Sequence, residues 1–414
     1  MKAQVLLSVF IVSLFAFQTP VLGHSERETT FPDGHGEVPE YRPFDPNTPF
    51  LVVCKSDSAA RIATFPPGSV RSFNEFLLPY CAYAHIQAAV DAVTTAGTNI
   101  YVLPGLYHEE PSRAEPTGHC AEVAAKKKPL SYEDQYACPA VENLIAVFGH
   151  VPASTADPNA PCTTEPLCRL QIEGTGLQPE DVTIDAQWQR LNGIRADRAD
   201  GVYIRNLLTE RTDFNGIYVL ETDGFVLEKV VGRFNYEYGI LTFAVDHGLI
   251  FDCETYLNGD SGVYPGSAAD LHGVDPHPAV EIHHCDSHHN ALGYSGTAGN
   301  SVYAHHNRFH HNSAGVSMDS FFPGHPGLPQ DSSLFEHNWI YANNVNYYDN
   351  YYGYNGKEEV CKKRLHERDV EEGFVCPVVP VPVGTGILVA GGNDNLFRDN
   401  WVWDNHRYGM MLFT

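Results

Sequence analysis

Glycines recur every 22 or 23 residues through the second half of the chain, and this period constrains the fold more than any other feature of the sequence. From Gly193 to Gly262 three successive intervals are each 23 residues, and the period returns after Gly293 and after Gly386. The series comprises Gly193, Gly216, Gly239, Gly262, Gly293, Gly315, Gly386 and Gly409. Short strand-like runs that repeat at this period, with glycine and asparagine turns between them, predict a parallel β-helix with one coil per repeat.

Alignment of the repeats on these glycines produces columns of like residues. One apolar column comprises Ile194, Ile217, Ile240, Val263, Tyr294, Val316, Ile387 and Met410, and another comprises Ile204, Leu227, Ile250, Ile282, Ala304, Phe335 and Phe397. An asparagine column comprises Asn235, Asn258, Asn290, Asn312, Asn343 and Asn405. A further column comprises Cys253, Cys285, Asn307, Asn338 and Asn400. Coils that stack at about 4.8 Å would let side-chain amides form ladders along the solenoid.

Two other repeat folds fit less well. A leucine-rich solenoid needs a leucine and asparagine consensus that these repeats lack, and propeller blades are longer than these repeats. We therefore predict a β-helix.

The coil pattern, the asparagine column and the segment HIQAAVDAVTTAGTNIYVLPGLYHE (residues 85–109) resemble the right-handed parallel β-helix proteins of the pectin-lyase-like superfamily. The resemblance covers residues 81–414. It implies an all-β, right-handed solenoid in which residues 85–109 supply an N-terminal cap helix and the first coil. It points to a fold and to no single enzyme.

The first 23 residues have the features of a secretory signal peptide, with one lysine, an apolar run from Val5 to Phe17 and small residues before Gly23. An uncleaved anchor is the alternative, but the run is short for a membrane span. No later stretch is apolar enough to cross a membrane. We therefore expect an extracellular monomer whose Pro-rich, irregular residues 24–80 drape along the solenoid of residues 81–414.

The sequence ends at GMMLFT, part-way into a further coil. An open solenoid end exposes apolar core and an unpaired edge. We expect that the sequence is truncated there, the alternative being a cover from an N-terminal loop or a partner.

The formal net charge of −25 excludes nucleic acid binding through the net field. It also disfavours a polyanionic substrate unless a cation or a basic patch intervenes. Ten cysteines in an exported chain predict disulfides. Proximity in sequence suggests the pairs Cys120–Cys138, Cys162–Cys168 and Cys361–Cys376. Cys253 and Cys285 are expected to be stacked structural thiols, with a disulfide as the alternative.

Three insertions interrupt the coils, at residues 266–278, 319–331 and 344–383. All three leave or rejoin the strand that follows the coil glycine, so they should crowd one face. Loops gathered on one face of a solenoid usually form its binding groove.

The sequence HHxxxxHHN occurs twice, 22 residues apart, so each histidine of the first copy should lie one coil below its counterpart. Because strand side chains alternate, at most about half of them should share a face. Asp286, His288 and His310 form the candidate metal set, for zinc or copper, resembling the periplasmic copper-associated proteins of the same superfamily. A packed or solvated histidine ladder is the alternative.

The first functional hypothesis is an enzyme that acts on an extracellular polysaccharide. Hydrolysis needs two carboxyl groups about 5 to 9.5 Å apart, whereas a uronate lyase or epimerase needs a base and a neutralising group such as Ca²⁺. Candidate catalytic residues are Asp275, His277, Asp319, Asp331 and His325, with Asp270 as a further loop carboxylate. Candidate substrate-binding residues are Tyr218, Tyr264, Tyr256, Arg233, Tyr341 and Trp403.

The segment VDPHP, which contains Asp275 and His277, is similar to the Asp-Pro-His core of mannuronan epimerases. That resemblance implies a site role for both residues, and a structural turn is the alternative because Asp-Pro favours turns. The NTD, DD, GHG and RIK set of polygalacturonases is absent, as is the aspartate cluster with a following arginine of pectate lyases. These departures argue against classical pectinase activity.

The second hypothesis is a non-catalytic glycan-binding or structural module. It rests on the aromatic and histidine column that runs from Arg233 to Trp403, because sugars stack on exposed aromatic faces. Exposed aromatics also occur on strands for β-propensity alone.

Overall fold

The computed structural model describes residues 29–126, 130–150, 162, 164–269, 273–349, 358–368 and 375–413. The predicted signal peptide and Asp270 lie outside these residues. The α-helices are Ser58–Ala63, Ser69–Leu77, Ile86–Asp91, Glu110–Arg113, His119–Ala124, Tyr132–Ala137 and Glu358–Lys362. Short 3₁₀ helices are Leu78–Tyr80, Pro139–Val141, Pro179–Asp181 and Leu365–Glu367. In the described part of the chain, we find no helix with the length and apolar character needed to span a bilayer.

The strands form a right-handed parallel β-helix, as predicted. Its first sheet has nine strands, Asn143–Phe148, Asn192–Asp197, Asn215–Leu220, Tyr238–Phe243, Ser261–Gly266, Leu292–Thr297, Ala314–Asp319, Thr385–Ala390 and Tyr408–Phe413. The coils pair in parallel one on the next, and their inward-facing apolar side chains fill the interior and form the core.

The remaining coil strands join in one sheet of 18 strands that wraps around the second and third faces. The second face comprises Cys81–Tyr83, Phe50–Val53, Asn99–Val102, Gln171–Gly174, Asp246–Phe251, Val280–His283, Val302–His305, Leu334–Glu336 and Leu396–Arg398. The third face comprises Gly105–Tyr107, Val182–Asp185, Glu254–Tyr256, Asp286–His288, Arg308–His310, Trp339–Tyr341 and Trp401–Trp403. Val202–Glu210 and Asp223–Arg233 run along both faces, and Gln330–Asp331 pairs with Gly392–Asn393 at a corner.

Both apolar columns are confirmed by the strand register. Ile217 pairs with Ile194 and Ile240 in the first sheet. Ile250 pairs with Leu227 and Ile282 on the second face. The leucine-rich and propeller alternatives are therefore wrong.

The glycine column exists because neighbouring coils touch there. A Cβ atom on Gly216 would lie 2.5 Å from the carbonyl oxygen of Gly239, and one on Gly315 would lie 2.5 Å from that of Gly386. Real Cβ atoms do not approach backbone oxygen so closely. A side chain at this column would push two coils apart.

The asparagine column forms the predicted ladder. From Asn235 to Asn405, Nδ2 of each asparagine donates to Oδ1 of the next at 2.9 to 3.4 Å, and the backbone N–H donates to the same oxygen. Asn307, Asn338 and Asn400 repeat this pattern in the second predicted column. Because these buried amides are satisfied by one another, they stabilise only a chain whose coils are in register.

The N-terminal region differs in part from the prediction. The cap helix is present as Ile86–Asp91, and Ile86, Ala89 and Val90 enter the core. Residues 50–80, however, are not irregular. The strand Phe50–Val53 lies between Asn99–Val102 and Cys81–Tyr83, so the solenoid includes residues before position 81. An apolar run of four residues inside a Pro-rich segment is too short to identify as a strand from its pattern alone.

Residues 29–44 run along the solenoid, as expected. The backbone N–H groups of Thr30 and Gly36 donate to the carboxylates of Glu221 and Asp223 at 3.0 and 2.8 Å. Farther along, the hydroxyl of Tyr41 donates to Glu173 at 3.1 Å. The segment therefore crosses several coils.

All ten cysteines form disulfides. The three predicted pairs are confirmed, and Cys54–Cys81 is a fourth. The expectation of free stacked thiols at Cys253 and Cys285 is wrong, because the structure bonds them with their Cα atoms 4.5 Å apart. Cysteines in one column on adjacent coils are close enough to pair in an oxidising compartment.

We predict that Gly315→Ala lowers the free energy of unfolding by about 1–3 kcal/mol, because its Cβ must displace the Gly386 carbonyl. Gly409→Ala is the matched control from the same column, since its Cβ would meet nothing nearer than 3.9 Å. Urea unfolding followed by circular dichroism measures both. Equal midpoints for the two variants would contradict the steric account.

Candidate functional site

Tyr264 and Asp319 lie on the outward side of the first sheet, as predicted. One strand, Leu292–Thr297, separates theirs, and Thr297 Oγ1 donates to Asp319 Oδ1 at 2.7 Å. The backbone N–H of Phe321 donates to the same oxygen at 3.2 Å. Tyr264 and Asp319 are only 5% and 6% exposed, because the inserted loops and the N-terminal segment around Phe31 cover this part of the sheet.

Asp260 is a second carboxyl group on this side, and sequence reasoning missed it. It immediately precedes the strand Ser261–Gly266 and accepts a 2.6 Å hydrogen bond from Ser261 Oγ. Tyr238 also hydrogen-bonds to it. A usable signal was present, since Glu237 and Asp260 both stand two residues after a ladder asparagine.

Burial raises the pKa of Asp260 to about 7, and the charge of Asp319 adds to this effect against the hydrogen bonds of Ser261 and Tyr238. Burial also raises the pKa of Asp319, while the hydrogen bonds from Thr297 and the backbone of Phe321 oppose the shift. Asp260 is therefore largely protonated below neutral pH. Two such groups on one side of a sheet can divide the roles of acid and base.

His325 approaches the same side from the second insertion. Its ring lies 5.8 Å from that of Phe243, a residue of the first sheet, and it also packs against Phe322. Burial lowers the pKa of His325, and the nearby charge of Asp319 opposes this. The structure thus brings Asp319, His325 and Tyr264 together with Asp260. We refer to these four residues as the acidic cluster.

Tyr218 does not reach the surface. It is fully buried with Leu241 and Phe243 on the outward side of the first sheet, and the guanidinium of Arg195 lies 5.2 Å from its ring centroid. The prediction that Tyr218 is outward-facing is correct, but the covering segments hold it away from any ligand.

Asp275, His277 and Asp331 lie elsewhere, at the corner between the first sheet and the second face. His277 meets Asp246 and His247 there. The backbone N–H of Ala279, two residues after His277, donates to the carbonyl of Ser301 on the next coil, and the N–H of Ser301 donates to Asp331 on the coil after that. Asp331 therefore lies two coils beyond His277, or about 10 Å at the usual spacing. The five predicted catalytic residues are thus divided between two locations.

The eight histidines of the repeated segment all project outward, but they are divided between the second face, the third face and the turns that follow each, so no face holds more than half of them, as expected. In each HH pair the first histidine ends a strand and the second has a positive φ, between 53° and 56°. This left-handed residue turns the chain and breaks the alternation of side chains. The two Nδ1 atoms of each pair lie 2.7 to 2.8 Å apart.

The predicted aromatic column is a continuous stack of rings. Centroids of Tyr256, His288, His310, Tyr341 and Trp403 follow one another at 5.2, 5.2, 4.9 and 4.4 Å, with planes within 17°. Neighbouring rings therefore cover one another's faces within the stack, and Trp403 at its end is 47% exposed. Arg233 closes one end, where it donates to the Tyr256 hydroxyl at 2.8 Å.

The two histidines of the predicted metal set contact two different carboxylates. Nε2 of His310 lies 2.8 Å from Asp286 Oδ1, and Asp286 also pairs with Arg308. Nε2 of His288 instead lies 3.1 Å from Glu254. Each ring nitrogen therefore has a protein partner in this arrangement.

A family model described as "Right handed beta helix region" matches residues 171–321. Among solved structures, the chain is similar to a pectate lyase (TM-score 0.41, 12% identity, 84% of this chain and 70% of that one). It is also similar to an alginate lyase from Paenibacillus sp. strain FPU-7 (0.34, 10%, 78% and 95%). A third similar structure is the A-module of a mannuronan C-5 epimerase from Azotobacter vinelandii (0.30, 12%, 80% and 94%). No curated protein matches the sequence significantly.

We predict that the melting temperature of Asp260→Asn, relative to wild type, rises as the pH increases from 5 to 8. The folded-state pKa of about 7 is higher than that of an unfolded aspartate, about 3.9. The folded protein then binds more protons between these values, so the stability contributed by Asp260 is lost as the pH rises through 7. Asparagine does not titrate.

Differential scanning fluorimetry across this range measures the effect, with Asp399→Asn as a control at an exposed carboxyl group. A difference between Asp260→Asn and wild type that does not vary with pH would contradict the assignment.

Proposed function

We propose that this is a secreted, carbohydrate-active protein that modifies an extracellular polysaccharide at the acidic cluster. The observation that carries the proposal is the presence of two covered carboxyl groups with raised pKa values, Asp260 and Asp319, on the loop-flanked side of the first sheet. The substrate class rests on the resemblance to pectin-lyase-like β-helix proteins. The extracellular location rests on the leader sequence and is supported by the five disulfides.

The insertions flank the outward side of the first sheet at both ends of its strands. The first two leave at the carboxyl ends of Ser261–Gly266 and Ala314–Asp319, whereas the third returns at the start of Thr385–Ala390. Within the third, the backbone N–H of Val378 donates to Gly259 O at 2.9 Å. A glycan chain can reach the cluster when the second insertion, which carries His325, moves off Phe243. Closure would then exclude water.

In the proposed reaction Asp260, protonated near neutral pH, donates a proton to the departing glycosidic oxygen. Asp319, oriented by Thr297 Oγ1 and the backbone N–H of Phe321, is the base. In hydrolysis it takes a proton from the water that attacks the anomeric carbon, and in elimination it takes the proton from the carbon beside the uronate carboxylate as a C=C bond forms. Tyr264 has a raised pKa, through burial first and then the charge of Asp319, so it remains a hydrogen-bond donor. Hydrolysis and uronate elimination both require such an acid and base pair.

A second candidate is glycan binding without turnover on the third face. The tryptophans at its C-terminal end, Trp339, Trp401 and Trp403, are 47%, 54% and 47% exposed. Exposed indole faces suit sugar stacking. This candidate predicts that affinity is independent of the acidic cluster.

We predict that Asp260→Asn and Asp319→Asn each lower turnover by about 100-fold or more, the usual range for loss of a general acid or base. The assay offers polygalacturonate, alginate and neutral glycans to the mature protein, with and without Ca²⁺. Absorbance at about 235 nm reports uronate elimination, reducing ends report hydrolysis, and NMR reports epimerisation. With Asp260 as the acid, wild-type turnover falls as the pH rises through about 7.

Asp399→Asn, at an exposed turn, is the matched control and keeps wild-type turnover. If wild type turns over no glycan, or if turnover survives both cluster variants, the proposal is wrong. Retained glycan binding in both variants together with its loss in Trp401→Ala would favour the binding module.

A further inference from the structure

Two histidines and an aspartate from different coils meet at the corner between the first sheet and the second face. Asp246 and His247 begin the strand Asp246–Phe251, and His277 comes from the first insertion. Nδ1 of His247 lies 3.6 Å from Asp246 Oδ2, and Nδ1 of His277 lies 3.8 Å from Asp246 Oδ1. One potential ligand atom from each residue lies within 4.8 Å of the others.

The Asp246 carboxylate, at the centre of this corner, lacks a hydrogen-bond donor for one of its two oxygens among the described residues. Asp246 is 1% exposed, and its Oδ2 accepts no hydrogen bond from the described residues. Removing a carboxylate oxygen from water without supplying a donor costs free energy. A bound cation would supply the missing partner, and the two imidazoles lie beside one another, with ring centroids 3.9 Å apart.

The surroundings are anionic. Asp223 Oδ1 lies 2.8 Å from His247 Nδ1, and its other oxygen accepts the backbone N–H of Gly36 at 2.8 Å. Such a field attracts a cation to this corner.

We propose that Asp246, His247 and His277 bind one divalent transition-metal ion of the zinc class, with water in the remaining position. Two imidazoles and one carboxylate form a donor set typical of zinc sites that keep an open position. Binding would release the proton of His247 Nδ1 to solvent, which leaves Asp223 free to accept a hydrogen bond from the bound water. It also competes with the 3.1 Å contact between His277 Nδ1 and the Pro278 carbonyl.

Metal binding here would join the first insertion to the solenoid. His277 is the only one of the three ligands that belongs to an inserted loop, whereas Asp246 and His247 belong to a strand of the second face. Binding would therefore hold residues 273–278 against the coil below and stabilise the folded chain. This proposal is independent of polysaccharide turnover.

The test uses the full chain stripped with EDTA and titrated with ZnCl₂ near pH 7.5 by calorimetry, with a parallel thermal melt. We expect one site of micromolar or tighter affinity and a melting temperature that rises with zinc. His277→Gln and Asp246→Asn should each weaken this site by about 100-fold or more and abolish the thermal shift. Asp246→Asn keeps the shape of the buried side chain, and His277→Gln changes a partly exposed residue.

Zinc bound by the surface histidines is the main competing explanation. His306→Gln is the matched control, since His306 is exposed and its Nδ1 lies 2.8 Å from that of His305. The proposal requires that this variant keep the tight site. Absence of zinc binding in wild type, or wild-type affinity in His277→Gln, would overturn it. If Asp246→Asn does not fold, His277→Gln alone decides.

Discussion

Each coil of this protein must lie directly on the next at a single spacing, and the rest of the structure depends on that contact. At Gly216 and Gly315 the next coil's carbonyl oxygen occupies the space where a Cβ atom would stand. The asparagine ladder spans the same gap with hydrogen bonds of 2.9 to 3.4 Å. A slip of one residue would break the ladder and introduce steric clashes at the glycine column.

Regular stacking also limits where chemistry can arise. Like side chains lie on like side chains, so a column such as His288 and His310 becomes a stack of rings rather than a convergent site. Convergence requires a departure from the repeat. The second insertion brings His325 to Asp319, and the first brings His277 to Asp246.

The insertions affect the acidic cluster by removing water from it as well as by positioning His325. Together with the N-terminal segment around Phe31 they cover the outward side of the first sheet, and the carboxyl group of Asp260 loses the water that would keep its pKa low. In a chain of net charge −25, an exposed aspartate at the same position would be one ionised group among many. The cover raises its pKa to about 7, so it is largely protonated below neutral pH.

The sequence by itself determined the architecture, because a repeat of 22 or 23 residues encodes register locally. The apolar columns, the asparagine ladder and three disulfides could be predicted from spacing, and the cap helix from the resemblance of residues 85–109 to pectin-lyase-like β-helix proteins. The tertiary structure decided which residues of different coils and covering loops lie in contact, because the spacing of residues along the chain does not encode these contacts. The strand Phe50–Val53, the Cys253–Cys285 bond and the burial of Asp260 on the same side as Asp319 depend on contacts between coils and covering loops. The paired histidines of each HH step point outward because a left-handed residue follows the strand, a backbone state that side-chain alternation does not anticipate.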